Sequence, residues 1–363
     1  MGGILQMNYN NSDITSQEAF LQNKKLQEGK RKKQESNMPL EWQNISMSAQ
    51  SKIIKQITYH KWQNVKVCAA LRSIGEKDRA NLINECGTFV RLGKRNGHDS
   101  IKYANFCRQR LCSVCGWRRS AKFVSQMIPV TKILSGQGYK FVFLTLTIPN
   151  CYDDELNENV SMLLKGWDRL NKRRKNQRAW RGFCRSIEVS YNTKTNTYHP
   201  HIHALIACET KYYNSVKQAD AARVGDYMND LELKLQEEWR QCLRIQKLEH
   251  PLQVKLLPAN RAKGHNNQSI STAAAVETLK YAYKINNKAI SNKTISTLLY
   301  SLCNKRLVSF GGVIAGTRQQ LNQGEIEPDS FIDESEENPQ ETPDNVLYIF
   351  NMNGWKIIEE GEQ

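Results

Sequence analysis

The sequence predicts an α+β fold on a mainly antiparallel sheet, and three observations carry that expectation. Residues 139–150, "YKFVFLTLTIPN", are rich in β-forming side chains and close at Pro149, which marks a strand. Residues 183–208, "FCRSIEVSYNTKTNTYHPHIHALIAC", read as two strands joined by the polar turn "NTKTNT", a hairpin. Helical periodicity follows in 229–245, "NDLELKLQEEWRQCLRI", and in 271–290, "STAAAVETLKYAYKINNKAI", where Ser271 or Thr272 can cap the helix. Hairpin connections mixed with helices favour antiparallel pairing over parallel crossovers.

Taken in chain order, residues 1–60 are rich in Gln, Asn, Ser and Lys and predict a flexible basic arm. Residues 61–135 form a helical and cysteine-rich region, and 136–315 hold the strands and helices described above. From 316 to 363 the expectation is an acidic, largely disordered tail. Its centre, 324–345, carries three prolines and no Lys or Arg, and such a segment could fold back over a basic surface. No stretch is apolar for long enough to span a bilayer, and the first twenty residues lack the pattern of a signal peptide, so a cytoplasmic protein with no membrane partner is expected. "MGGILQ" opens like a myristoylation site but has Met7 where a small hydroxyl residue is wanted.

The chain has 363 residues, 39% of them hydrophobic, and a formal charge of +16, with the excess gathered in "CGWRRSAK" (115–122) and "KRRKNQRAWRGFCR" (172–185). A polyanion is the natural partner for such clusters. Cations interleaved with Trp117, Trp180 and Phe183 suit nucleic acid, and a solvated basic surface is the bland alternative. Arg118, Arg119, Arg173 and Arg174 are the candidate phosphate contacts.

Ten cysteines in a cytosolic chain argue against a disulfide framework. Cys112 and Cys115 form a C-x2-C pair that can chelate one ion, Cys107 is near enough to join, and Cys86 would complete four thiolates, the closed set of a structural Zn²⁺ site. The spacing is not one of the usual two-pair patterns. Reduced thiols in a loop are the alternative, with His98 a substitute fourth ligand should zinc bind. Cys184 and Cys208 lie on predicted strands among apolar neighbours and read as core residues.

In "HPHIHALI" (199–206), His199, His201 and His203 occupy alternate positions and share one strand face. The partner strand carries Glu188 between Ile187 and Val189, an unusual place for a carboxylate without a partner. Cross-strand pairing could bring it beside His201 and His203 as a third ligand. Two imidazoles and a carboxylate leave coordination positions open, which favours a catalytic divalent ion: Mn²⁺, Co²⁺ or Zn²⁺, with Mg²⁺ where it is abundant. A solvent-facing histidine stripe is the plainer reading. His199 is either a further ligand or a phosphate contact.

On the helix predicted over 271–290, Glu277, Lys280, Tyr281 and Lys284 fall on roughly one side, while Tyr283 points away and reads as a packing residue. By itself this is a salt-bridged surface. Beside a metal site it becomes a nucleophile with its helpers, because a phenol with a pKa of about 10 needs nearby positive charge to lose its proton.

Three motifs in this order, "FLTLTIPN", "HPHIHALI" and "ETLKYAYK", resemble those of rolling-circle replication initiators of the HUH endonuclease superfamily. "FCRQRLCSVCGWRRSAK", with Glu277 four residues before Tyr281, is similar to the Rep proteins of small Gram-positive plasmids, and the likeness spans about residues 80–312, including "RLVSFGGV". Ser113 stands where that group usually has a proline, and "KINN" lacks an acidic residue often found there. The resemblance implies an HUH fold: a central five-stranded antiparallel sheet flanked by helices, with the "FLTLT" strand at the centre beside the histidine strand. A zinc-ribbon-like N-terminal element and disordered tails would complete it.

It also implies that Tyr281 is the nucleophile and contacts DNA with Lys280, that Lys284 supplies charge, and that Glu277 activates water in the terminating cleavage. The metal set would be His201, His203 and Glu188 with His199, holding Mn²⁺ or Mg²⁺. The partners would be plasmid origin DNA, single-stranded or in a hairpin, and the host helicase and DNA polymerase. A conjugative relaxase or transposase would share this chemistry. A non-enzymatic zinc-ribbon DNA-binding protein would not.

Overall fold

Two antiparallel sheets organise the computed structural model, which describes residues 38–48, 51–95, 98–225, 227–246, 252–259, 291–322, 346–351 and 354–359. Helices α1 (Leu40–Ser48), α2 (Lys52–Ser73) and α3 (Lys77–Asn84) lead into strands β1 (Phe89–Arg95) and β2 (His98–Ala104). Helix α4 (Ser113–Gly136), β3 (Lys140–Thr147), α5 (Leu156–Asn171), α6 (Arg174–Ala179), β4 (Trp180–Asn192) and β5 (Thr197–Cys208) follow. The described chain continues through α7 (Thr210–Ala221), α8 (Asp230–Leu243), β6 (Val254–Pro258), α9 (Asn292–Leu302), β7 (Val308–Gly311), α10 (Gly312–Asn322), β8 (Val346–Asn351) and β9 (Gly354–Glu359). The helix predicted over 271–290, with Glu277, Lys280, Tyr281, Tyr283 and Lys284, lies outside the described residues. So do residues 1–37 and the acidic stretch 324–345.

The larger sheet runs β6–β3–β5–β4–β7 with every neighbouring pair antiparallel. The hairpin forms as expected, β4 with β5, and Asn196 takes a φ of 53° to close its turn. The histidine strand β5 occupies the centre and the "FLTLT" strand β3 lies beside it, one place off the central position expected for β3. At the far edge, Gly312 has a φ of 57°, and a Cβ there would meet the Arg181 carbonyl oxygen at 2.1 Å, so only glycine allows β7 to turn into α10 against β4.

One face of this sheet is mostly apolar, with the buried Arg185 its charged exception, bonded to the Arg306 carbonyl at 2.9 Å. Ile202, Ala204 and Ile206 of β5, Ile187 and Val189 of β4, and Leu144 and Leu146 of β3 are buried there in a core that includes Leu163 and Trp167 of α5 and Trp239 of α8. Trp239 also donates its indole N–H to the Thr147 carbonyl at 2.9 Å. An Asn229–Glu232 capping box starts α8, and the fully buried Glu232 accepts from the Leu256 N–H at 2.7 Å and from Arg223 at 2.6 Å, which ties the helix to β6.

Among the described residues the opposite face is covered only in part. Met127, Val130 and Leu134 of α4 and Ile314 of α10 pack on Phe141, Phe143, Cys184 and Leu205. In register, Phe143 faces Leu205 and the next pair on that face is Thr145 with His203. Apolar cover therefore ends one row before the histidines, and the half-buried row beyond it is where chemistry can occur. Cys184 and Cys208 are buried core residues, as the sequence suggested.

Three expectations need correction. Residues 40–48 and 52–60 of the expected flexible arm enter α1 and α2. The region 61–135 is not helical throughout, because β1 and β2 lie within it, and it shares one core with the five-stranded sheet. Finally, the stretch 316–363 contains the end of α10 and strands β8 and β9, which complete a second antiparallel sheet, β2–β1–β8–β9. The last strands bury Val346 and Tyr348 against Val90 and Leu92, and Trp355 donates to Thr58 Oγ1 at 2.8 Å, fixing β9 to α2. Burial of this apolar set outweighs the polar composition of the segment before it.

His60 on α2 is buried, and its Nδ1 lies 2.8 Å from Ser113 Oγ and 3.2 Å from Gln63 Oε1. Burial pushes its pKa from 6.5 down to about 4, opposed by the Gln63 contact. The unfolded chain therefore binds the extra proton first, and the contribution is complete above pH 6.5 and is lost as pH falls towards 4. Acid titration of the native chain is expected to show about 3 kcal/mol more destabilisation across that window than a His60→Gln variant, measured by denaturant unfolding.

Candidate metal centre and thiol cluster

Strand alternation and hairpin register together build the first site. In the β4–β5 ladder Glu188 is directly opposite His201, and Ser186 is opposite His203, so the carboxylate and both imidazoles share the half-covered face. Glu188 Oε2 lies 3.6 Å from His201 Nε2 and 3.4 Å from His203 Nε2. The carboxylate is buried, with 4% of its side chain exposed, while each imidazole keeps 13% open to solvent. One atom from each of the three residues falls within 4.8 Å of the others, a spacing at which they can hold a metal ion.

The outward nitrogens are set by the inward ones. His201 Nδ1 donates to the His199 carbonyl oxygen at 3.0 Å, which leaves the Nε2 lone pair facing Glu188. His203 Nδ1 is 3.1 Å from Thr145 Oγ1, and its ring stacks on Phe143 at 5.5 Å. Both rings are thus oriented for ligation through Nε2. Thr145 was not among the residues singled out by sequence reasoning. The signal was present in "FLTLT", where hydroxyls at alternate positions interrupt a strand otherwise suited to burial. A Thr145→Val change is expected to weaken metal binding about tenfold, measurable by calorimetric titration, because an outer-sphere partner typically contributes ten- to hundredfold.

His199 stands apart from this trio. Its Nδ1 donates to Asn150 Oδ1 at 2.7 Å, and it does not fall within the group of three that can share an ion. Burial, then the neighbouring His201, holds its imidazole below the usual range against the opposing pull of Glu188. The neutral ring lies at the open end of the face.

The four cysteines predicted as one site do come together. Cys86 follows α3, Cys107 follows β2, and Cys112 caps α4 with Cys115 in its first turn. Cys86 Sγ lies 3.5 Å and Cys107 Sγ 3.7 Å from Cys115 Sγ, and all four sulfurs fall within 4.8 Å of one another. Tetrahedral ligation with Zn–S bonds near 2.3 Å requires sulfur separations of about 3.8 Å. The four thiols close the set, so His98 is not needed. Cys107 N–H points at Cys86 Sγ (3.4 Å), Cys115 N–H at Cys112 Sγ (3.5 Å) and the Asn64 amide at Cys112 Sγ (3.4 Å), donors of the kind that stabilise thiolates. Lys61, buried beneath, donates to the carbonyls of Asn84 (3.0 Å) and Cys86 (3.2 Å) and brings a cation to the cluster. Hydrogen bonds from Cys107, Cys112 and Cys115, followed by burial, raise the Cys86 thiol, while those from the other three cysteines lower Cys115, so the four do not ionise together without a cation.

The basic candidates divide. Arg118 and Arg119 are exposed on α4 just beyond the thiol cluster, with Arg118 over the Phe106 ring at 4.4 Å. Arg174 is exposed, whereas Arg173 bonds Gln241 at 2.9 Å and lies 3.9 Å from Glu238, which joins α6 to α8. Part of that second cluster is therefore structural.

A family model described as a replication protein, Rep_1, matches residues 98–359. The chain belongs to the Rep_1 replication protein family. It is 30% identical to a "Protein rep" of Streptococcus pneumoniae over 285 residues, covering 76% of this chain and 83% of the relative. A "Protein rep" of Lactiplantibacillus plantarum is 29% identical over 279 residues, 74% of this chain and 82% of its own, and one of Bacillus amyloliquefaciens is 24% identical over 286 residues, 72% and 78%. No solved structure matches the chain. The family range takes in both strands of the metal face and extends through β9, so the C-terminal strands belong to the shared body of this replication protein. Its membership agrees with the resemblance to plasmid replication initiators read from the sequence motifs. Among the described residues no helix is long and apolar enough to cross a membrane.

Proposed function

We propose that this Rep_1 protein initiates rolling-circle plasmid replication by nicking origin DNA with a tyrosine nucleophile on an HUH-type fold. The observation that carries the reading is the convergence of Glu188, His201 and His203 on the half-covered face of a central antiparallel strand in a replication protein. The donor set fits a divalent cation: two neutral-type nitrogens and one carboxylate oxygen, with rings oriented from behind and room left for other ligands. A Mn²⁺ or Mg²⁺ ion bound there supplies Lewis-acid polarisation of a phosphodiester.

The chain's own residues do the rest. Tyr281 Oη attacks phosphorus, a bond forms between them, and the P–O3′ bond breaks. The phenol's proton is lost and the departing 3′-oxygen gains one, which leaves a 5′-phosphotyrosine and a free 3′-OH for the host polymerase. Lys284 supplies positive charge to the phenolate, and Lys280 holds a neighbouring phosphate. Glu277 activates a water in the terminating cleavage and frees the enzyme. Because the covalent link conserves the phosphodiester energy, a later 3′-OH can reverse the step and rejoin the strand. Arg118, Arg119 and Arg174 contact the DNA backbone, and the four cysteines bind structural Zn²⁺. The work is done in the cytoplasm on single-stranded or hairpin origin DNA, beside the host helicase.

Incubation of the full-length protein with an origin hairpin oligonucleotide and Mn²⁺, followed by a denaturing gel, is expected to give a covalent adduct that Tyr281→Phe abolishes and Tyr283→Phe retains. An adduct that persists in Tyr281→Phe and vanishes in Tyr283→Phe would assign the wrong phenol. A complete lack of adduct with intact DNA binding would make the protein a non-enzymatic DNA binder.

A further inference from the structure

Among the described residues, the outer face of the second sheet takes no part in either hydrophobic core. The inner face buries Val90, Leu92, Val346 and Tyr348. Strand alternation sends Phe89 and Arg91 of β1, Tyr103 of β2, Leu347 and Ile349 of β8, and Lys356 and Ile358 of β9 the other way. Tyr103 is 57% exposed, and its ring meets Phe89 edge to face at 5.7 Å. Tyr103 pairs with Arg91 and Ile101 with Leu92, which leaves Lys102 as the extra residue of a bulge. Its side chain lies across Gly93, where a Cβ would sit 2.5 Å from Lys102 Cε, so the ammonium group is carried onto the same face. Lys102, Arg91 and Lys356 are all exposed.

We infer that this face binds single-stranded DNA, with bases stacked on Tyr103 and Phe89 and phosphates held by Lys102, Lys356 and Arg91. Two aromatic rings on a β-sheet face, surrounded by cations and free of acidic side chains among the residues named, match what an unpaired strand needs. A duplex keeps its bases stacked and offers no ring to receive them. The net charge of +16 favours a polyanion over a second copy of this basic chain. The site is separate from the Glu188–His201–His203 face, on a different sheet, and would retain the displaced or newly opened strand while the nicking face works. The inference rests on the replication reading but not on the identity of the nucleophile.

The test is fluorescence anisotropy of full-length protein with a labelled oligo(dT) of about 30 nucleotides, across a salt series. The double variant K102E/K356E is expected to bind about tenfold more weakly, with the slope of log K against log salt reduced by about 1.4 for two lost phosphate contacts. Tyr103→Ala is expected to lower affinity about tenfold with the slope unchanged. K102R/K356R should restore both quantities. Unchanged affinity and slope in the charge-reversed and Tyr103 variants would overturn the proposal. So would a change in sedimentation coefficient with DNA affinity intact, which would make the face an interface between copies. Mn²⁺-dependent adduct formation on a short origin oligonucleotide is measured in parallel. If the unaltered protein forms no adduct, the nicking reading fails while the anisotropy comparison still decides this one.

Discussion

Glu188→Gln is expected to reduce Mn²⁺ affinity by at least about a hundredfold and to bring adduct formation below detection, beyond the ten- to hundredfold typical of an outer-sphere partner. The amide keeps the shape of the side chain but removes the only anionic member of the trio, leaving two neutral imidazoles that bind a divalent ion weakly. The side chain is 4% exposed between two imidazole nitrogens, so solvent screens its charge little. Removing a buried carboxylate lifts a desolvation cost in the metal-free protein, and the metal-free variant should melt no lower than the unaltered chain. That pairing separates lost chemistry from lost structure. A variant that melts early would instead make Glu188 a structural residue.

The second large effect concerns the thiols. Cys115 sits at the centre of the cluster, 3.5 Å from Cys86 and 3.7 Å from Cys107, and joins the first turn of α4 to the loops after α3 and β2. If the cluster holds the proposed zinc, Cys115→Ser is expected to lose it, read by elemental analysis, and to lower Tm by roughly 10 °C, since binding free energy at a structural zinc is folding free energy. Lys61 adds to the loss. Its buried ammonium group donates to two carbonyl oxygens and lies 4.7 Å from the Phe350 ring, and burial lowers its pKa against the pull of Cys86, Glu85 and Cys112, so a change in the charge of the cluster is felt at this side chain. The Glu188–His201–His203 face should be less affected, because the far half of α4 is held on the larger sheet by Met127, Val130 and Leu134. A cysteine variant with normal melting and no metal lost would show the cluster to be four reduced thiols.

Much of the metal face was legible in the sequence because its geometry is set by short-range rules. Period-two alternation aligned His201 with His203, and one tight turn between β4 and β5 fixed the register that brings Glu188 opposite His201. Thr145 was not legible in the same way, since its bond to His203 depends on the pairing of β3 with β5, between segments 58 residues apart. His199 shares the alternation but departs from the trio because Asn150, beyond the end of β3, takes its ring nitrogen. The second sheet was missed altogether. Both of its hairpins carry an Asn-Gly pair, Asn96-Gly97 and Asn353-Gly354, a strong local turn signal. The first lies among the cysteines and the second follows an acidic, proline-rich stretch, and each of these is a stronger compositional signal than the turn. What holds β8 in place is its long-range pairing with β1, which composition does not report. Arg173, counted with the DNA-binding cations, is instead engaged with Gln241 and Glu238, a tertiary contact that a charge run cannot show.

The most direct test of the central claim is Mn²⁺ binding to the full-length protein followed by pulsed electron paramagnetic resonance. Coordination by Glu188, His201 and His203 predicts one tightly bound ion per chain at this face with nitrogen couplings from imidazole, and both the binding and the couplings lost in a His201→Ala, His203→Ala double variant. The same ion, bound as tightly and without nitrogen couplings in either protein, would contradict it.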